Sequence, residues 1–371
     1  MRILLFFLLL ILIYLFQQNI YLKKCFEKVA AKAEFESKGV FEKDETDIVI
    51  TVSNDKLMPL WWLGISYLAN ESFLFESDEG FVAGENHRKD LAFIMSYEIF
   101  RKKYRVKANK RGYYTLHDFE LSSGDIFAEY KEIKKFSVES CIYVYPGIIS
   151  EDEFNISLKK LNGDIISKRQ IIEDPFEFKG IREYSPFDSM KQVNWKATAR
   201  TGELKVNNYF STNSGKITIM INMEKFNQWD LDENIEESIR IAATLSTKYI
   251  KEGIEVEVLT NGCDRVSQEK VEISVGKSIN KIFYIYEALA RLDIKNMSLN
   301  TEDFIDDAVK FSRLESNIIF ISHYYNDKIA EKINLLKYKG FQIKWIVPDF
   351  DIKNIKLENV EDLYAWEVKM L

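Results

Sequence analysis

The chain is poor in cysteine, histidine and proline. It has three cysteines, three histidines and five prolines among 371 residues. Cys25, Cys141 and Cys263 lie far apart, so they offer neither a disulfide framework nor a zinc-binding spacing, and they indicate a reducing compartment. A hydrophobic fraction of 46% with so little proline argues against long disordered tracts. The length leaves room for two or three folded domains.

Motifs of the common enzyme classes are also missing from the sequence. It has no G-x-S-x-G elbow, no phosphate-binding loop and no H-E-x-x-H pair. His87, His117 and His323 are therefore interpreted as surface or core residues rather than general bases. A formal net charge of −7 argues against a dedicated nucleic-acid-binding protein. We expect no catalytic residue, no cofactor and no nucleic-acid partner.

One long apolar run stands at the N-terminus. Ile3–Phe16 is fourteen apolar residues without a break, and the segment to Leu22 is long enough to cross a bilayer about 30 Å thick. A cleaved signal peptide is the alternative, but only Arg2 precedes the run and no small-residue cleavage site follows closely. Lysines 23, 24, 28, 32 and 38 follow it. The positive-inside rule thus predicts a transmembrane anchor over residues 1–22 in a single-pass cell-membrane protein with most of the chain in the cytoplasm.

Hydrophobic periodicity divides the rest of the chain. Residues 39–147 alternate with period two between turn segments, which predicts an immunoglobulin-like β-sandwich. Residues 148–215 are predicted to be a connector that carries one helix. From residue 216 to 371 strands alternate with helices, which predicts an α/β domain with a mostly parallel sheet. Gly253 and Gly340 each stand where a helix should end before a strand.

The segment EYSPFDSMKQVNWKATAR, Glu183 to Arg200, is rich in aromatic and charged residues. Ser185 followed by Pro186 and Asp188 predicts a capped helix start, with a helix continuing to Thr201-Gly202. Met190, Val193 and Ala197 would then form a buried stripe, and a half-buried structural helix would account for most of the segment. The functional alternative uses four cations to hold an anion or an acidic side chain of a partner: Arg182, Lys191, Lys196 and Arg200.

The same residues resemble a known family signature. GIREYSPFDSMKQVNWKATARTGELKV, residues 180–206, is similar to the signature of the bacterial family called domain of unknown function 58. The matching positions are Arg182, Tyr184, Asp188, Trp195, Thr198, Ala199, Arg200, Leu204 and Val206. One departure is Phe187, where the family usually has glycine, so the local turn must differ.

The resemblance implies a membrane-anchored protein whose C-terminal region is a von Willebrand factor A-like, Rossmann-like α/β domain. Such domains hold Mg²⁺ through clustered oxygen ligands after the first strand. Here the aspartate of that position is replaced by Asn222 and both serines are missing. We therefore expect a degenerate position and no metal.

A basic cluster lies in the β-rich region. RKKYRVKANKR, Arg101 to Arg111, has seven lysines or arginines in eleven residues. Alternation puts Tyr104, Val106 and Ala108 on one face of a strand and the cations on the other: Arg101, Lys103, Arg105 and Lys107. This face is either an ordinary solvated strand or a surface for anionic lipid headgroups, where each basic group contributes about 1 kcal/mol.

Together these observations predict a membrane-anchored, non-enzymatic interaction or adaptor protein. The resemblance implies association with a MoxR-type AAA+ ATPase, as an assembly or chaperone-type partner, and with other membrane proteins. Two alternatives stay open: a metal-dependent or hydrolytic enzyme on the α/β domain, and a structural component of the cell envelope. The sequence does not indicate an oligomeric state.

Overall fold

The computed structural model describes residues 21, 23–68, 70–77, 80–83, 87–124, 131–150, 152, 154, 173–185, 190, 193–211, 216–226, 232–311, 317–350 and 362–368. Its contacts divide the chain into Met1–Gly147, which we call unit 1, and Ile148–Leu371, which we call unit 2. Each unit is described by itself.

The described part of unit 1 is built from short strands. They are β1 Val29–Phe35, β2 Gly39–Phe41, β3 Glu45–Asn54, β4 Leu60–Leu68, β5 Phe73–Ser77, β6 Gly80–Ala83, β7 His87–Ile94, β8 Ile99–Ala108, β9 Gly112–Thr115, β10 Phe119–Gly124, β11 Lys131–Phe136 and β12 Cys141–Tyr145. They form three sheets, with the orders β1-β3-β8-β5-β6, β11-β10-β4-β7 and β2-β12-β9.

Alternating apolar residues give unit 1 its core. Ile48, Ile50 and Val52 of β3 are buried together with apolar residues of the second sheet such as Leu63 and Ile65 of β4. Because side chains of a strand alternate between its two faces, every second residue of β3 reaches this core. The other face of the strand carries Glu45, Asp47, Thr51 and Ser53, with the buried Val49 between them.

Unit 2 contains a ribbon with a short helix and a larger sheet. The ribbon has β13 Glu173–Glu183, α1 Trp195–Thr201 and β14 Lys205–Ser211. The larger sheet and its helices are β15 Ile217–Ile221, α2 Asp232–Lys251, β16 Val256–Asp264, β17 Lys270–Gly276, α3 Ile279–Arg291, β18 Leu292–Met297, α4 Thr301–Phe311, β19 Asn317–Ile321, α5 Asp327–Tyr338, β20 Gln342–Asp349 and β21 Leu363–Glu367.

The larger sheet of unit 2 has the strand order β17-β16-β15-β19-β20-β21, with β18 also paired to β16. Strands β16, β15, β19, β20 and β21 run parallel, whereas β17 and β18 are antiparallel to β16. All five residues of β15 are buried, as expected for a central strand covered on both faces. The order reverses between β15 and β19, so the carboxyl ends of these strands meet at one edge of the sheet.

The predicted fold class is wrong. We expected a transmembrane helix, a two-sheet immunoglobulin-like sandwich and a von Willebrand factor A-like α/β domain. The protein is instead mostly β, with 46% of residues in strands and 26% in helices, and unit 1 has three sheets rather than two. Part of the difference lies in unit 2, where β13, β14, β17 and β18 add antiparallel strands. Hydrophobic periodicity does not predict which strand each of these four strands pairs with.

The predicted single-pass membrane anchor, and with it the predicted cell-membrane localisation, is also corrected. No helix among the described residues is long and apolar enough to cross a membrane. Residues 1–20 and 22 of the predicted anchor lie outside the described residues. Tyr21 is buried in the core of unit 1, and its hydroxyl lies 3.0 Å from Ser123 Oγ. Hydropathy does not distinguish an apolar residue that meets lipid from one that packs in a protein core, and Tyr21 does the latter.

Candidate functional site

The signature segment lies in the ribbon of unit 2. Strands β13 and β14 pair antiparallel, with Arg182 opposite Val206 and Glu183 opposite Lys205. Helix α1 stands between the two strands in sequence, and Val193, just before it, forms a bridge with Val206. We call residues 180–185 and 193–206 the α1 platform. Of the signature residues, Asp188 and also Phe187 lie outside the described residues.

Helix α1 begins later than the sequence predicts. Its N-cap is Asn194, whose Oδ1 accepts a hydrogen bond from the Ala197 amide at 2.9 Å. The prediction of Ser185 as the cap of this helix is therefore wrong. Asn194 is held in place by β14, because its amide donates to the Lys205 carbonyl at 2.8 Å and its Nδ2 donates to Asn207 Oδ1 at 2.7 Å. Serine and asparagine are both favourable N-cap residues, so the preference for capping residues does not decide between Ser185 and Asn194. The hydrogen bonds of Asn194 to β14 decide it.

The other end of α1 is also fixed by hydrogen bonds. Gly202 adopts a φ of 77° and its amide donates to the Thr198 carbonyl, which ends the helix in the usual left-handed cap. Thr198 Oγ1 accepts from the Lys205 amide at 3.0 Å, and the Tyr184 amide donates to the Leu204 carbonyl at 3.0 Å. The short helix is thus braced against both strands by backbone and side-chain bonds. Thr198 has a structural role in this bracing.

The outer face of α1 is exposed. The helix has no buried residue, and the Trp195 side chain is 62% exposed. Lys196, Ala199 and Arg200 are exposed beside it. The predicted buried stripe is therefore wrong: Val193 is buried, but Met190 is exposed and Ala197 is only half-buried. The α1 platform displays an indole, an ammonium and a guanidinium group to solvent.

Charge on the inner side of the platform is balanced. Lys205 Nζ lies 3.3 Å from both Glu183 Oε1 and Glu203 Oε2. Desolvation lowers the pKa of Lys205, but the two carboxylates outweigh it and hold that pKa above its usual value. Arg182, which is half-buried, donates to the Glu183 carbonyl at 3.1 Å. Of the four cations of the predicted anion site, Lys196 and Arg200 lie on the exposed face, and Lys191 lies outside the described residues.

A second group of polar residues lies at the carboxyl edge of the larger sheet, where open α/β sheets bind ligands. We call this group the polar cluster: Asn222, Glu224, Asn261, Thr301 and Ser322. All except Glu224 are buried. Asn222 Nδ2 donates to Ser322 Oγ at 2.9 Å, and Asn222 Oδ1 accepts from Asn261 Nδ2 at 2.8 Å and from Thr301 Oγ1 at 3.0 Å. Both polar atoms of the Asn222 side chain thus have hydrogen-bond partners within the protein.

The polar cluster ties together loops from several elements. Asn261 also accepts from the Met223 amide at 2.8 Å and donates to the Leu299 carbonyl at 3.1 Å. Glu224 accepts from the Thr301 amide at 2.7 Å at the start of α4, where a carboxylate complements the helix dipole. In the part of the chain that the structure describes, no group of three or more histidine, cysteine, aspartate or glutamate side chains is placed to hold a metal ion. The cluster positions loops.

His87 and His117 belong to unit 1, and His323 belongs to unit 2. His323 is buried beside the polar cluster, with Nδ1 3.0 Å from the Pro348 carbonyl and Nε2 3.2 Å from Asn234 Nδ2. The carbonyl can only accept, so Nδ1 carries the proton and Nε2 accepts from the amide. His117 is exposed in unit 1, and the side chain of His87 lies outside the described residues.

The predicted basic face lies on β8 in the middle of a sheet of unit 1. Arg101, Lys103 and Arg105 are exposed and Lys107 is half-buried. Acids of neighbouring strands stand opposite them: Lys103 Nζ is 2.6 Å from Glu36 Oε1, and Arg105 is 3.9 Å from both Asp47 and Glu76. The hydrogen bond between Lys103 and Glu36 lowers the pKa of the Glu36 carboxyl. Lys103 and Arg105 are thus paired with carboxylates, which reduces the net positive charge of this face.

The sequence predicted the helix end at Thr201-Gly202, and Gly202 is the C-cap, but sequence reasoning missed Asn194 and Lys205, which also build the α1 platform. A signal for Asn194 was present. In NWKATARTG an asparagine stands directly before the helix and a glycine directly after it, which is the usual pattern of a short capped helix. The exposure of Trp195 had no local signal, because a tryptophan in a helix is read as apolar.

Comparison with known proteins adds little to this geometry. No protein-family model matches the chain. The uncharacterized protein YeaD of Bacillus subtilis (strain 168) is 18% identical over 211 residues, 57% of this chain and 50% of that protein. The chain therefore spans about half the length of this curated relative.

Solved structures show only remote likeness. The CARDB domain of the PF1109 protein from Pyrococcus furiosus has a TM-score of 0.19 at 10% identity, covering 31% of this chain and 96% of that one. The C-terminal domain of wzt also has a TM-score of 0.19 at 10% identity, covering 33% and 83%. Scores this low carry no argument about fold or function.

Proposed function

We propose that the chain is a non-enzymatic interaction protein that binds its partner through the α1 platform. The observation that carries the proposal is Trp195, which is 62% exposed on a helix whose two ends are fixed by hydrogen bonds. A large apolar side chain held in the solvent by a braced support loses little conformational entropy when a partner covers it.

The residue types of the exposed face fit this role. Tryptophan and arginine are the side chains most enriched among residues that dominate binding energy at interfaces. Arg200 is also exposed, five residues after Trp195, which at 3.6 residues per turn puts it about 140° around the helix axis from the indole. A guanidinium group recognises a carboxylate through two parallel hydrogen bonds. The partner surface should therefore reach around the exposed helix, with an apolar pocket for the indole and a separate acidic side chain for Arg200.

The first partner to test comes from the family resemblance of residues 180–206. That resemblance implies a MoxR-type AAA+ ATPase, for which the chain would act as an adaptor or assembly factor. The proposal that α1 is the docking element does not depend on this identity. It depends on the exposure and bracing of the platform.

The test is the affinity of the purified full chain for the MoxR-type ATPase of the same organism, measured by calorimetry. We expect Trp195→Ala and Arg200→Glu each to weaken binding about 30-fold, equivalent to ~2 kcal/mol. Tyr338→Ala and Arg265→Glu are matched controls, because both residues are exposed in unit 2 outside the platform. Equal losses in the controls, or full binding by both platform variants, would contradict docking through α1.

A further inference from the structure

Unit 1 carries an apolar surface that the proposed function does not use. Leu57 lies in the loop between β3 and β4, and Met95, Tyr97 and Ile99 lie in or beside the turn between β7 and β8. Their side chains are exposed by 77%, 52%, 68% and 67%, respectively. We call these four residues the apolar tip. Monomeric proteins rarely expose several large apolar side chains together without a use for them.

The apolar tip is ordered by its own backbone. Asn54 is completely buried, and its Nδ2 donates to the Met58 carbonyl at 2.9 Å and to the Met95 carbonyl at 2.8 Å. The Asn54 amide donates to the Glu98 carbonyl at 2.9 Å, and the Tyr97 amide donates to the Lys56 carbonyl at 3.3 Å. The two loops are therefore fastened side by side, and their apolar side chains project from a fixed base.

Backbone strain at Tyr97 supports a functional reason for this arrangement. Tyr97 has a φ of 58°, in the left-handed region. Residues other than glycine, asparagine and aspartate seldom occupy that region, and such strain persists where the surroundings impose it. Here the bonds to the neighbouring loop hold the conformation, and the phenol ring points into solvent.

The shape of the apolar tip favours a fluid partner over a protein. Each of the four side chains is more than half exposed, so they protrude rather than line a groove. A protein partner would need a pocket matched to four projecting residues on two loops. A lipid bilayer accommodates them without a matched shape, and tyrosine is enriched at the level of the headgroups.

The approach of the preceding chain points the same way. Tyr21 is fixed at the β3–β4 loop that also carries Leu57, since its hydroxyl donates to the Pro59 carbonyl at 3.3 Å and accepts from the Trp61 amide at 3.2 Å. The fourteen-residue apolar run ends at Phe16, five residues earlier. The residue that follows the apolar run by five positions is thus fixed beside the apolar tip.

Charges near the apolar tip are almost balanced. Lysines 23, 24, 28 and 56 stand on the same segments as Glu27, Asp55 and Glu98. Desolvation lowers the pKa of Lys56, which is partly buried. Electrostatic attraction to anionic headgroups is therefore small, and apolar insertion must provide the affinity.

We propose that the apolar tip inserts into the headgroup region of a lipid bilayer as a peripheral contact. The contact is made by folded loops and requires no spanning helix. It is independent of the α1 platform, because it uses residues of unit 1 alone. It predicts similar binding to neutral and to anionic lipid.

The test uses nitroxide labels on the full chain. Cys141 is exposed and is replaced by serine, whereas Cys25 and Cys263 are buried. One label is then placed at a time, through Leu57→Cys, Tyr97→Cys or Lys110→Cys. Lys110 is the control, because it is exposed and lies beyond the far end of β8, about 30 Å from Ile99 at ~3.3 Å per residue.

Accessibility to a water-soluble nickel complex is measured with and without vesicles of phosphatidylcholine, or of phosphatidylcholine with phosphatidylserine. With both vesicles we expect accessibility at positions 57 and 97 to fall about fivefold and that at position 110 to stay unchanged. The labels report the tip itself even where another part of the chain also binds the vesicles. Three results would overturn the proposal. The first is an equal change in accessibility at all three positions when vesicles are added, the second is protection of positions 57 and 97 only with the anionic vesicles, and the third is no binding of the chain to either vesicle.

Discussion

The α1 platform and the polar cluster of unit 2 use similar residues for opposite purposes: the cluster joins loops in the interior, and the platform supports an exposed helix. In the polar cluster, Asn222, Asn261 and Thr301 are buried and bond to one another, so their donors and acceptors point inward. In the platform, Asn194 and Thr198 bond to the backbone of β14 and leave Trp195 outside. Polar residues at the carboxyl edge of a sheet, where ligands often bind, can thus serve to connect loops inside the protein. A signature segment whose sequence predicts a buried helix can instead expose its side chains to solvent.

Of the two regions compared, the polar cluster should show the larger effect on stability. Asn261→Ala removes the acceptor of the Met223 amide and a donor to Asn222 Oδ1, both at 2.8 Å in a buried site. Asn222 Oδ1 keeps Thr301 as a donor, but the Met223 amide and the Leu299 carbonyl lose their side-chain partner. Leaving such groups unsatisfied costs about 1–3 kcal/mol each, so we expect the free energy of unfolding to fall by about 3 kcal/mol in urea titrations. Asn296→Ala is the control, because this exposed asparagine bonds to the Asp293 side chain at the surface.

A small change in Asn261→Ala would break the comparison. It would mean that the cluster is not closed on itself and that water or a ligand satisfies the same groups. A change near 3 kcal/mol would instead make the cluster a structural element and leave the α1 platform as the functional surface of unit 2.

Much of the regular structure follows from local sequence. The alternation of β8 is visible in RKKYRVKA, and burial of Val106 and Ala108 opposite exposed Arg101, Lys103 and Arg105 matches it. Gly253 and Gly340 have φ of 77° and 98° at the ends of α2 and α5, which confirms the predicted helix stops. These features depend on residues within a few positions of one another, so they can be predicted from the local sequence.

The features that the sequence misled us about depend on distant partners. The cap of α1 is Asn194 because β14 holds it, and Lys205 and Asn207 of that strand are more than ten residues away. Tyr21 belongs to a protein core because Pro59 and Ser123 bond to it, although hydropathy placed it in a membrane anchor. Trp195 is exposed because none of the described elements covers α1, and no local sequence pattern indicates this.

A smaller effect should come from the charge pairs that brace the α1 platform. Glu183 and Glu203 hold the pKa of Lys205 above its usual value of about 10.5, against a desolvation effect that lowers it. A lysine whose pKa is higher in the folded state than in the unfolded state stabilises the folded state. This contribution is fully present at pH values below the unfolded-state pKa, and it is lost as the pH rises through the folded-state pKa. Lys205→Gln should therefore lower the urea midpoint at pH 8 and approach the parent chain as the pH rises through the raised folded-state pKa of Lys205.

Lys205→Arg keeps the positive charge and should retain the difference from Lys205→Gln at high pH, because arginine stays protonated there. A difference between parent and Lys205→Gln that does not change with pH would show that packing, rather than charge, holds the strands of the ribbon. The ribbon of the platform would then be held together by uncharged contacts, as Asn222 and Asn261 of the polar cluster are.

The free energy of unfolding of Trp195→Ala tests the central claim most directly. Trp345→Ala provides the scale, because Trp345 is completely buried in β20 and loss of a buried tryptophan costs about 3–5 kcal/mol. Trp195 keeps most of its surface in solvent, so the same substitution there should cost about 1 kcal/mol or less. A loss at Trp195 as large as that at Trp345 would contradict the account, because it would make the signature helix part of the core.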